Sequence, residues 1–128
     1  MARRKKSAKP VIVRRPSVQS IVTNICQLVT EQGWQVKLER LFNRPQFCKD
    51  HGVAGSLDNV LGFTEHPEKI VYVDYRHNFF DILIHEYLHA LYPNLEEDDI
   101  EALEEYVMER LTPTQAKRIL RATVPALI

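Results

Sequence analysis

Two histidines four residues apart, with a glutamate directly after the first, form the stretch His85-Glu86-Tyr87-Leu88-His89. On a helix, positions four apart lie on one face, so His85 and His89 can present two imidazoles to a single ion. Zinc takes imidazole nitrogen at about 2.0–2.1 Å, a reach this spacing allows. Glu86 is rotated about 100° around the helix from His85. It can therefore stand beside the ion without ligating it and take a proton from a water held there. With five histidines and eleven glutamates in 128 residues, chance alone gives such a pattern in roughly one or two per cent of chains, so its helical context has to carry weight.

A zinc site that performs chemistry has three protein ligands and one open position. No histidine follows His89, so the third ligand is expected to be a carboxylate downstream. Glu96, Glu97, Asp98, Asp99, Glu101, Glu104 and Glu105 are available. If Ile100, Leu103 and Val107 form the face that packs on the motif helix, then Glu97, Glu101 and Glu104 border it. Glu97 is nearest in sequence to the turn at Pro93 and is the expected ligand, with Glu101 second. Asp81, four residues before His85, is a first-turn acid or an acceptor that orients it. Tyr92, Tyr75 and His77 are the candidates for an oxyanion donor, and His51 and His66 read as surface loop residues.

The elements that must position these groups follow from periodicity. Ser17 precedes Val18, Ile21, Val22, Ile25, Cys26 and Val29, an apolar stripe at three- and four-residue spacing that predicts a helix ending before Gly33. Trp34, Val36 and Leu38 alternate with polar residues as a half-buried strand does, and Leu41 and Phe42 extend it. Residues 43–58 read as a long irregular connection. Residues 59–64 and 69–74 are two short strand-like runs around a turn at Glu65-His66-Pro67-Glu68. The motif helix starts after Asn78 as N-cap and stops at Pro93. An acidic start, Glu96-Glu97-Asp98-Asp99, suits the first turn of the next helix. Thr112-Pro113-Thr114-Gln115 then carries an N-cap, a proline at N1 and a glutamine at N3, opening a short basic helix followed by a docked apolar tail. The predicted fold class is α+β: an N-terminal helix, a small sheet of three strands, the motif helix and a following acidic helix.

The length suits one domain. Net charge is zero but uneven: residues 1–16 hold seven basic side chains and no acid, leaving ten basic against 17 acidic, or −7, for the rest. The chain thus divides into a basic arm, 1–16, and a domain, 17–128. The arm suits nucleic acid or another acidic partner, a solubilising role, or contact with the acidic body. No aromatic residues are interleaved in it for base stacking. No apolar run approaches a bilayer span, and the basic start lacks a continuous apolar signal-type core, so no membrane association is expected. Cys26 and Cys48 are too few for a disulfide scaffold and point to a reduced, cytoplasmic setting. Cys48 and His51 have the spacing of half a metal site, without a second half.

The motif with a glutamate on the next helix resembles a minimal gluzincin, in particular the small metallopeptidases of the ImmA/IrrE type and their phage relatives. Ile70–Asp74 corresponds to the strand that leads into their motif helix, and Glu97, Ile100 and Leu103 to the glutamate with apolar residues at plus three and plus six. The resemblance covers roughly residues 59–111 and is strongest over 82–103. It departs at Leu88, where a small residue is common, and no helix-turn-helix-like partner is visible. It implies a zincin-like domain whose strand at residues 60–64 is a sheet edge to which an extended substrate adds. It also implies zinc-assisted hydrolysis of a protein or peptide substrate, with His85, His89 and Glu97 holding Zn2+ and Glu86 as the general base. The alternatives are a non-catalytic zincin-fold adaptor using the basic arm, and a protease brought to nucleic acid by that arm, similar to SprT-like proteases.

Overall fold

The computed structural model describes residues 15–55 and 59–128, so most of the basic arm lies outside the described residues. Among the described residues, five α-helices and three strands follow in the order α1 (Val18–Thr30), β1 (Gln35–Glu39), α2 (Pro45–Asp50), β2 (Gly62–Glu65), β3 (Ile70–Asp74), α3 (Phe79–Leu91), α4 (Glu97–Arg110) and α5 (Pro113–Thr123). The expected α+β class is the observed one.

β3 is the central strand, with order β1-β3-β2. It pairs in parallel with β1, Val36 opposite Val71, and antiparallel with β2, Thr64 opposite Val71 and Gly62 opposite Val73. Alternation along β3 sends Val71 and Val73 into the main core, with Ile21, Ile25, Leu83, Ile84, Tyr87 and Leu88 from α1 and α3. Tyr72 goes the other way, into a smaller cluster with Leu41, Cys48 and Phe63. The sheet is thus covered on both faces, which is why β3 is nearly all buried.

The cover on the second face corrects the expectation for residues 43–58. It includes a helix, α2, with Pro45 in its first turn and Cys48 fully buried. Six residues are too few for a 3.6-residue repeat to show. Leu41 does not extend β1 but turns into this cluster. The first stripe also shifts slightly, with Leu28 buried and Val29 only partly so.

Local signals set the helix ends. The Ser17 side chain accepts from Ser20 N–H at 3.1 Å, and Thr112 with Gln115 forms a full capping box on α5. Asn78 precedes α3 as expected, but its side chain makes no cap; it sits in the left-handed region at φ 42°, which asparagine tolerates better than most residues. Asp74 fixes the approach. Its buried carboxylate accepts from the N–H groups of Leu41 (2.9 Å), Phe42 (3.0 Å) and Arg76 (3.1 Å) and pairs with the Arg76 guanidinium at 2.8 Å. One side chain therefore ties the loop after β1 to the turn that launches α3. The tail docks as expected: Leu127 bridges Val36, and Ile128 N–H donates to Val36 O at 2.9 Å.

Candidate metal centre

α3 lies against β3, β2, α1 and α4. Leu83, Ile84, Tyr87 and Leu88 take its apolar side into the core, and the Tyr87 hydroxyl bonds Thr123 Oγ1 at 2.7 Å, locking α3 to α5. That packing leaves His85 and His89 half-buried on the side facing α4, their ring centroids 4.9 Å apart.

α4 brings Glu97 to both. Its Oε2 lies 2.9 Å from His85 Nε2 and its Oε1 lies 2.8 Å from His89 Nε2. One ligand atom from each of these three residues falls within a 4.8 Å group, a set that could hold a metal ion. Glu101 lines the same cleft but stands outside this group.

The donor chemistry fits a divalent cation. His85 Nδ1 lies 2.7 Å from Glu104 Oε1, and a carboxylate can only accept, so Nδ1 carries the proton. The neutral ring then turns the lone pair of Nε2 toward Glu97. A lone pair and a carboxylate oxygen at 2.9 Å need a positive centre between them, either a proton or a metal. Accordingly, although burial alone would lower the His85 pKa, the bond to Glu104 and the charges of Glu86, Glu97 and Glu104 raise it. Ligand atoms around a tetrahedral zinc stand about 3.3 Å apart, a few tenths of an ångström wider than these contacts. Two imidazoles and a carboxylate are a donor set suited to zinc.

Glu86 reaches toward the sheet, to Thr64 of β2. It is 6% exposed, and burial pushes its carboxyl pKa up to about 7, although Thr64 and His85 pull it down. Its Oε1 accepts from Thr64 Oγ1 at 2.8 Å. The cleft beside it is lined by Val60 and Leu61 just before β2, by Gly62 and Thr64 on it, and by His85 and Glu101 from the helices. β2 is an edge strand among the described residues and runs Gly62–Glu65, whereas the resemblance implied an edge strand over residues 60–64.

Two groups at this centre have roles that helix spacing does not predict. Glu104, a candidate ligand by its position, instead holds His85 Nδ1; Asp81 is an exposed first-turn acid. His66, read as a loop residue, is exposed but lines the cleft and donates from Nε2 to His89 O at 3.0 Å. Tyr92, Tyr75 and His77 do not line it. Cys48 is buried in the second cluster, and His51 bonds Glu65 Oε2 at 2.9 Å. The identified three-residue group therefore contains no sulfur.

Comparisons with protein-family models, with curated proteins and with solved structures find no match to this chain.

Proposed function

We propose that this protein is a zinc-dependent metallopeptidase of minimal gluzincin type that hydrolyses peptide bonds of a protein or peptide substrate. The observation that carries the reading is the convergence of His85, His89 and Glu97, with buried Glu86 beside them, at a cleft running along an edge strand. His85, His89 and Glu97 would hold the metal, and Glu104 would fix the His85 tautomer. Zinc, when bound, supplies the Lewis acidity that makes water nucleophilic near neutral pH and polarises a carbonyl. Glu86 takes the proton of the attacking water and returns it to the leaving amine, so the proton count closes. The edge of β2 offers backbone N–H and C=O groups to an extended substrate. A purely structural zinc has no use for a general base, which favours an enzyme over an adaptor.

No helix among the described residues is long and apolar enough to cross a membrane. Cys26 and Cys48 are both free thiols, which supports a cytoplasmic setting.

The test is hydrolysis of a mixed peptide library by zinc-loaded wild type and Glu86→Gln. Cleavage by wild type, reduced at least about 100-fold in the variant with zinc retained, is expected. Equal rates in both proteins would contradict the assignment.

A further inference from the structure

We infer that Thr64 is a positioning residue for Glu86: its hydroxyl holds Oε1 against the edge strand and leaves Oε2 as the oxygen that exchanges the proton. This deepens the peptidase reading and rests on it for the role of Glu86.

The placement begins with strand periodicity. Successive residues of β2 face opposite sides. Phe63 stacks on Tyr72, with centroids 4.4 Å apart, and Glu65 bonds His51, both on the far face. Gly62 and Thr64 therefore face α3, and both meet Glu86. Thr64 donates to Oε1 at 2.8 Å, and its oxygen also lies 3.1 Å from the Glu86 carbonyl oxygen. Both contacts tie the strand to the same helical residue. Among the described residues, Thr64 is the only side chain hydrogen-bonded to the Glu86 carboxyl group.

Stiffness makes this useful. Glutamate has three rotatable side-chain bonds and loses appreciable freedom when held in one pose. Threonine is branched at Cβ and stiff at χ1, so its hydroxyl position is set largely by the strand. Linking the two transfers the rigidity of β2 to the carboxylate. Gly62 completes the seat. A Cβ there would lie 3.0 Å from Glu86 Oε2, so the absent side chain leaves that oxygen the room it occupies beside the strand. A general base gains from such fixing because its oxygen must meet the water proton at hydrogen-bond distance.

The experiment uses Thr64→Val, which keeps shape and strand preference but removes the hydroxyl, and Thr64→Ser, which keeps the hydroxyl. Zinc content, kcat and KM are measured on a cleaved peptide. Thr64→Val should keep one zinc per chain and lower kcat about 10–100-fold, with KM within about twofold. Thr64→Ser should restore kcat to within about threefold of wild type. A readout independent of hydrolysis is the urea midpoint of the metal-free protein. Thr64→Val should lower it more in the wild-type background than in Glu86→Ala, where Oε1 is gone. Unchanged kcat in Thr64→Val, loss of its zinc, or equal urea shifts in the two backgrounds would overturn the role of Thr64. Zinc-loaded wild type that cleaves nothing would sink the peptidase reading alone, and the urea comparison would then decide Thr64 by itself.

Discussion

Gly62→Ala adds one carbon atom where β2 meets Glu86. The added Cβ would lie 2.7 Å from Ile82 Cγ2 and 3.0 Å from Glu86 Cγ and Oε2. Carbon atoms settle at about 3.5–4.0 Å, so the Ile82 contact is short by about 1 Å. Ile82 Cγ2 is bonded to Cβ of a branched residue in a helix, where χ1 has one strongly preferred state. Rotation offers little relief, and either β2 moves outward or α3 shifts. Overpacking of this kind costs about 1–3 kcal/mol. The lower freedom of alanine in the unfolded chain offsets about 0.4–1 kcal/mol. The net loss spans about 0–2.6 kcal/mol, centred on about 1.3 kcal/mol, or about 5 °C in Tm at this chain length. Because the displaced groups include the Glu86 carboxylate, kcat should fall about 10–100-fold while zinc stays bound. Calorimetry, zinc analysis and peptide kinetics on one preparation read all three. Gly33→Ala is the control: its Cβ meets nothing within 4 Å and its φ is +82°, so it should cost about 1–2 kcal/mol through the backbone alone and leave kcat unchanged. Gly62→Ala with wild-type Tm and wild-type kcat would refute the close approach of β2 to Glu86.

Glu104→Ala removes the acceptor from His85 Nδ1 and should weaken zinc binding about 10–100-fold without changing the saturating stoichiometry, read by competition with a chromogenic chelator. Asp74→Asn should cost about 2–3 kcal/mol at pH 7 in urea unfolding, because a buried carboxylate with three backbone donors and Arg76 loses its charge. The Arg76 pair, opposed by burial and helped by the Phe42, Leu41 and Arg76 N–H groups, holds the Asp74 carboxyl well below its usual range. A depressed pKa contributes stability that is complete above the unfolded value near 3.8 and is lost as pH falls through the folded value. Wild-type urea midpoints should therefore fall below about pH 4, and those of Asp74→Asn should fall less steeply over the same window.

What the sequence revealed about the centre was local. His85, Glu86 and His89 share one helix, and the rule that places them needs only its pitch. Glu97 was also legible, because a short turn after Pro93 limits how far the start of α4 can stray from the end of α3. Glu104 was legible only as an acid beside an apolar face. Its bond to His85, 19 residues away, depends on how α3 and α4 cross, which composition does not encode. Thr64 and Glu86 are 22 residues apart and meet only because β2 pairs antiparallel to β3 at one register. A slip of one residue would have turned Phe63 toward Glu86 instead. The α+β class and nearly all the elements followed from periodicity, whereas α2 escaped it because one and a half turns carry no period.

The central claim is that His85, His89 and Glu97 together hold one zinc. Elemental analysis of purified, zinc-reconstituted wild type, His89→Ala and Glu97→Ala tests it most directly. One zinc per wild-type chain and its loss in both variants are expected. No zinc in wild type would contradict the centre as a whole, and zinc fully retained in Glu97→Ala would contradict Glu97 as its third ligand.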